Sequence, residues 1–376
     1  MGKVKILFIK NSNIKNSIDG IDQLLINFAK YNSIYNFKYD FYFLFNTKCI
    51  CSEKISKYGN VKIIGYPEFN YKSLIKNFLN FILAIKYIKS INPEYVIETS
   101  PYHYSLTKFL KRKSKIITCF FGFKPSPLNK FLPKPLDKIF SKLYTNNFKK
   151  RNLFIVQTLQ AKRKIISYGV EPKKIKLLKS GFPDISIKEE IKIKNTLVPR
   201  SIINKSKINI IGVGRLGKRK GGEDFCKLAK MCNDQDLNFI YIGVLRNESE
   251  IEFYEAHKKY VKFTGHSDQV MGFLMQSDIA IHFSHEEASS LILREMMFAG
   301  LPIIAWNVPT INKDLNHQKQ LLIKKGNFNL AKKKLYNLIK SKSTSLDISN
   351  SNKKISRIYT LENMFLKFLE LIEKVK

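Results

Sequence analysis

An α/β fold of two doubly wound, parallel-sheet domains is what this chain of 376 residues predicts, on three observations. Short apolar runs that stop at Gly or polar residues alternate with stretches of helical period, the pattern of repeated strand and crossover-helix units. The length suits two domains at ~150 residues each, and either can bury a proper core. Asp184 to Lys207, polar and charged with little periodicity, separates the two halves. The expected division is a first domain over 1–183, a linker over 184–206, a second domain over 207–350 and a terminal segment over 351–376.

In the first half, Lys3-Val-Lys-Ile-Leu-Phe-Ile9 reads as a strand and Ile21 to Tyr31 as a helix. Gly20 between them lets the backbone approach a phosphate, whereas Ser17 or Asp19 capping the helix is the plainer alternative. Tyr71 to Ile91 has the spacing of a core helix. Tyr95 to Glu98, Ile116 to Phe121 and Leu153 to Val156 read as further strands, and Gln157 to Gly169 as a helix ended by Gly.

The second half opens with Ile208 to Gly214, a strand ending in a glycine turn, followed by Arg215, Leu216 and the basic run Lys218-Arg219-Lys220-Gly221-Gly222. Arg215 and Lys220 lie five residues apart across that turn and can clamp a diphosphate, Arg in bidentate fashion and Lys as a point charge. For the run of three taken singly, a basic turn in a lysine-rich chain is the plainer account. Only nine of the 66 basic residues are Arg, so background composition does not explain Arg215. Leu237 to Gly243 and Val261 to Gly265 read as strands, and Val270 to Gln276 as a short helix. The triplet Asp234-Gln-Asp236 sits in a polar loop and is read as no metal site.

The most informative stretch runs from Asp278 to Pro302. Asp278 to Ser284 is a buried strand, Ser289 or Ser290 caps the next helix, and Gly300 with Pro302 ends it. The free N–H groups and positive dipole end of that helix face the place where the strand stops, where open α/β sheets bind phosphates. Glu287 precedes the helix and Glu295 falls on its second turn, able to hydrogen-bond ribose hydroxyls. The competing reading gives Glu287 to the helix dipole and Glu295 to solvent.

This segment resembles family 4 glycosyltransferases, whose signature Glu-Gly-Phe-Gly-Leu-x-x-x-Glu is matched by Glu287-Ala-Ser-Ser-Leu-Ile-Leu-Arg-Glu295 and continues into Met296-Met-Phe-Ala-Gly300-Leu-Pro302. The family pattern Gly-Arg-Leu-x-x-x-Lys-Gly is matched at Gly214, Arg215, Leu216, Lys220 and Gly221. The resemblance implies a GT-B architecture, two Rossmann-like domains facing a central cleft, with the terminal helix crossing back to the N-terminal, acceptor-side domain. It implies that Arg215, Lys220 and Glu287 are catalytic. Gly20, Gly214, Ala288, Ser289, Ser290, Leu291 and Glu295 would bind a UDP- or GDP-linked sugar, with no metal or other cofactor and with retention of configuration. Ala288-Ser289-Ser290 replaces the family's Gly-Phe-Gly, which reduces freedom for positive φ and puts donor specificity in question. A family His is absent where Phe121 aligns; His103 is the nearest candidate on the acceptor side, against the plainer reading of a solvated loop His.

A formal charge of +36 invites nucleic acid as partner. The 57 Lys against nine Arg look instead like codon bias, and no nucleic-acid motif accompanies them, so none is expected. Lys124 to Arg151 carries eight basic residues against one acid, interleaved with Phe131, Leu132, Leu136, Ile139, Phe140 and Leu143, and suits an anionic membrane surface. Five Cys in no metal spacing, a Met1-Gly-Lys-Val-Lys5 start without a signal-peptide pattern and no apolar run of ~20 residues lead to a cytoplasmic expectation, peripheral at the inner face of the membrane. The expected function is transfer of a sugar from a nucleotide donor to a glycan or lipid-linked acceptor in bacterial surface polysaccharide, such as lipopolysaccharide or capsule. The alternatives are nucleotide-sugar binding without turnover and epimerisation of nucleotide sugars.

Overall fold

The computed structural model describes residues 2–10, 20–35, 38–64, 74–99, 107, 114–120, 149–195, 198–199, 201–245, 247–287 and 289–375. It divides into two compact units, residues 1–180 with 362–376, and residues 181–361.

The first unit holds a seven-stranded sheet in the order β3-β2-β1-β4-β5-β6-β7, every pair parallel. Its strands are β1 (Val4–Lys10), β2 (Tyr39–Phe45), β3 (Asn60–Ile63), β4 (Tyr95–Glu98), β5 (Lys115–Phe120), β6 (Leu153–Val156) and β7 (Ile175–Leu177). Helices α1 (Gly20–Tyr35), α2 (Ile50–Ile55), α3 (Leu74–Ile91) and α4 (Leu159–Ser167) alternate with them. Successive side chains of a strand point to opposite faces, so both faces of β1 need cover. Leu7 and Ile9 pack with Ala84, Ile88 and Ile91 of α3 on one face. Phe8 faces the other way and stacks on Phe43 at 4.9 Å between ring centroids.

The second unit holds a six-stranded parallel sheet in the order β10-β9-β8-β11-β12-β13. These strands are β8 (Ile208–Val213), β9 (Leu237–Ile242), β10 (Lys262–Phe263), β11 (Ile279–His282), β12 (Ile303–Trp306) and β13 (Leu322–Ile323). The helices are α5 (Ile187–Lys194), α6 (Gly222–Cys232), α7 (Glu248–Glu255), α8 (Val270–Met275), α9 (Leu291–Phe298), α10 (Pro309–Asp314), α11 (Phe328–Lys340) and α12 (Lys342–Ser356). Ile210 belongs to a core with Phe225, Phe283 and Leu335, whereas its neighbour Ile211 belongs to a core with Leu274, Leu293 and Met296. Helices therefore cover both sheet faces, as parallel sheets require. The final helix, α13 (Leu361–Glu373), returns the chain to the first unit, where Phe365 and Phe368 pack on Phe28 at 5.1 and 5.0 Å.

Two stretches depart from the sequence reading. The segment expected as a linker contains α5, because Ser186 and Glu189 form a reciprocal capping box that satisfies the first free N–H groups. Ser341 to Lys354, whose Ser, Asn and Lys content by itself reads as a loop or connector, is mostly the helix α12. There Asn352, fully buried, donates to the Leu301 carbonyl at 2.7 Å and accepts from Gln318 at 2.9 Å, so tertiary contacts override weak intrinsic propensity.

Among the described residues no helix is long and apolar enough to cross a membrane. The stretch 124–148, read as a membrane-facing segment, lies outside the described residues, as do His103, Phe121 and Ala288.

Candidate functional site

In the second unit the strand order reverses between β8 and β11, which run side by side but are not consecutive. Ligands of doubly wound sheets bind beyond the carboxyl ends of strands at such a point. Both sequence motifs emerge there, the basic turn from β8 and the acidic loop from β11.

The basic turn is held by backbone packing. Gly214 has φ +146°, and its carbonyl oxygen would lie 1.7 Å from a Cβ at Gly243, so these two strand ends meet where no side chain fits. Gly221, at φ +75°, brings the turn against the end of β11: a Cβ there would lie 2.1 Å from the Phe283 carbonyl oxygen. Buried Tyr241 donates its hydroxyl to the Arg215 carbonyl at 3.0 Å, and burial pushes its pKa well above the ordinary phenol value. Arg215 and Lys220 are half-buried, and Lys218 and Arg219 are exposed.

Across from the turn, Lys220 Nζ donates to Glu287 Oε1 at 2.7 Å, joining the two motifs in one ion pair. Burial pushes the Glu287 pKa up, but the Lys220 charge and hydrogen bonds from Lys220 and Ser284 outweigh it and hold it below the usual carboxylate value. The Glu287 carbonyl accepts from Thr310 Oγ1 at 2.8 Å, which ties the loop to α10. His282, the last residue of β11, places Nε2 at 3.6 Å from the same Glu287 oxygen. Burial lowers its pKa to about 4, so the ring is neutral at pH 7.

The rest of the loop is anchored from below. His285 Nε2 and Asp224 Oδ2 are 2.7 Å apart, and Trp306 Nε1 donates to that oxygen at 2.9 Å. The Trp306 ring stacks on Phe283 at 3.8 Å between centroids. Of the two candidate caps, Ser290 is the N-cap of α9 and accepts from Leu293 N at 3.3 Å. No positive φ occurs in the described part of this loop, which accords with Ser in place of the glycines.

Ser289, Leu291 and Glu295 follow on the same loop and helix, with Leu291 opening α9 and Glu295 on its second turn. The Glu295 carboxylate has no hydrogen-bonding or ionic partner among the described residues, and desolvation alone raises its pKa to about 7. Glu295 is half-buried, so it is neither a fully exposed surface Glu nor a paired one. Gly20, the remaining predicted site residue, is the exposed first residue of α1 in the other unit.

Sequence reading missed His282, Asp224 and Tyr241. The first left a signal, a lone imidazole in an otherwise apolar strand. Locally Asp224 has only the look of a first-turn acid, and its acceptor role depends on partners 61 and 82 residues away.

Residues 193–355 match the family model described as glycosyl transferases group 1. A relative described as an uncharacterized 41.2 kDa protein in the cps region of Klebsiella pneumoniae is 23% identical over 256 residues, covering 67% of this chain and 64% of that protein. The chain thus spans under two thirds of that relative's length. Among solved structures, Anabaena Alr3699/HepE in complex with UDP-glucose superposes with a TM-score of 0.75 at 14% identity, over 98% of this chain and 99% of that one. A glycosyltransferase from Rickettsia africae superposes with a TM-score of 0.74 at 17% identity, over 100% of this chain and 99% of that one. At such identities the two superpositions show a shared GT-B fold.

Proposed function

We propose that this chain, whose residues 193–355 match the glycosyl transferases group 1 model, moves a hexose from a UDP- or GDP-sugar to a hydroxyl of a glycan or lipid-linked acceptor. The observation that carries this reading is the arrangement at the β8/β11 switch point. A lysine paired with a buried carboxylate stands at the strand ends, and a second, unpartnered carboxylate follows on the helix.

In this reading the diphosphate lies against the Gly214 turn and the N-terminus of α9, met by Arg215 and Lys220. As the sugar–oxygen bond breaks, charge builds on the departing diphosphate, and these two cations stabilise it where it develops. Glu295, half-buried and unpartnered among the described residues, accepts hydrogen bonds from the ribose hydroxyls. Glu287 faces the sugar, with Ser289, Ser290 and Leu291 shaping the loop beside it. Retention of configuration belongs to this proposal, as does a role in surface polysaccharide, supported by the cps-region relative. The basic, apolar stretch that begins at Lys124 supports an acceptor held at an anionic membrane, although Arg151 at its end is buried against Glu98 and takes no part in it.

Thermal unfolding with UDP, GDP, CMP and their sugar conjugates tests the donor site. A ligand at a hundred times its dissociation constant adds about 2.7 kcal/mol of stability. Stabilisation by one nucleotide family, lost in Arg215→Ala and Glu295→Ala, is the expected result. Release of nucleotide only when an acceptor is supplied then separates transfer from binding alone and from epimerisation.

A further inference from the structure

Lys220 cannot serve the buried Glu287 and an incoming diphosphate equally well. In the structure its ammonium is 2.7 Å from Glu287 Oε1, and its side chain is 25% exposed on a flexible four-carbon stem, free to turn toward a ligand. The Glu287 side chain is only 5% exposed. Withdrawing a cation from a carboxylate so buried is costly unless another donor replaces it.

One group is positioned to do so. His282 Nε2 is buried, has no hydrogen-bond partner among the described residues, and sits 3.6 Å from the same oxygen that Lys220 holds. That separation exceeds a hydrogen bond by a few tenths of an ångström, and the imidazole is fixed at the end of β11 by a backbone that does not depend on the ligand. The neighbouring Ser284 hydroxyl also hydrogen-bonds Glu287, but its single proton is shared with the Arg219 and Glu286 carbonyls within 3.3 Å, so it does not replace a cation. We propose that His282 is a positioning residue, which donates Nε2–H to Glu287 when Lys220 turns to the donor diphosphate and so keeps that carboxylate charged and in place. This role rests on the donor-site reading above. The two charged groups facing the ring act in opposite senses: Lys220 disfavours a proton on His282 and Glu287 favours one, so departure of the lysine leaves only the group that favours a proton there.

The test is titration calorimetry of UDP and GDP, beside uridine and guanosine, on wild type, His282→Leu, His282→Gln, Glu287→Gln and the double variant His282→Leu with Glu287→Gln. The nucleosides carry no phosphate and do not draw Lys220 away. Loss of one hydrogen bond to a charged group predicts that His282→Leu weakens nucleoside diphosphate binding about tenfold or more. Nucleoside affinity stays unchanged, and His282→Gln, which retains an N–H donor, recovers most of the loss. In the Glu287→Gln background, where no carboxylate needs a charged partner, His282→Leu has no further effect. Equal diphosphate affinity in wild type and His282→Leu overturns the role of His282 alone, and so does an equal loss for diphosphate and nucleoside. A wild type that binds neither UDP nor GDP overturns the donor-site reading and this inference with it.

Discussion

Buried carboxylates stand at parallel strand ends in both units, Glu98 closing β4 and Glu287 beyond β11, and they are partnered in different ways. Glu98 Oε1 accepts from Arg151 at 2.9 Å and Thr107 at 2.7 Å, while Oε2 accepts from Thr118 at 2.9 Å. The Arg151 side chain is 6% exposed and that of Glu98 is fully buried, so this group is closed to solvent and saturated with donors. Glu287 instead relies on a partly exposed lysine side chain, a shared serine hydroxyl and an imidazole just out of reach. A saturated buried ion cluster holds a fold together; an undersaturated one retains capacity for a ligand. Burial and charge alone do not separate the two cases, but a count of donors does.

The largest expected effect comes from the saturated cluster. Arg151→Met strands the Glu98 carboxylate and should cost about 3–5 kcal/mol in urea unfolding. A loss below about 1 kcal/mol would break the distinction drawn here. Next is the packing of the basic turn. Gly265→Ala, at φ +69° with nothing within 4 Å, meets only backbone strain, about 1 kcal/mol. Gly221→Ala adds contact with the Phe283 carbonyl and should lose at least twice that; equal losses would show that the turn can relax. On the undersaturated side, Lys220→Ala should weaken UDP or GDP binding about 10- to 100-fold by calorimetry, as for loss of a charge-assisted hydrogen bond or two.

A more gradual effect sharpens the contrast through pH. The Glu295 pKa, about 7 in the folded chain against 4.5 for the unperturbed group, means that the native state binds this proton more tightly than the unfolded chain. Its contribution is therefore fully present below pH 4.5 and is lost as pH rises through 7, on the order of 2 kcal/mol. Glu295→Gln should flatten that part of the melting-temperature profile. A variant that keeps the wild-type slope would mean that the carboxylate is solvated after all.

Much of the architecture was legible because parallel strands buried on two faces leave near-continuous apolar runs, as in Leu237 to Ile242. The basic turn and the acidic loop were legible for a related reason, since glycines and charges interrupt those runs at strand ends. What stayed hidden depends on partners distant in sequence. Nothing local marks Asn352 as a buried hub, since its contacts are to Leu301 and Gln318. Nor does the apolar run around His282 reveal that its ring faces Glu287 rather than a satisfied core neighbour. The pairing of Lys220 with Glu287 was equally invisible, although each residue was singled out, because 67 residues separate them.

Trp306 gives the second unit an optical signature of its own. It is the chain's single tryptophan, stacked on Phe283 and hydrogen-bonded to the aspartate that also meets His285 of the acidic loop. Red-edge excitation therefore interrogates one emitter beneath that loop, while the first unit, with tyrosines and phenylalanines only, stays dark. Its emission wavelength and quenching by iodide or acrylamide will follow the ordering of the loop in real time, without a dye or a label.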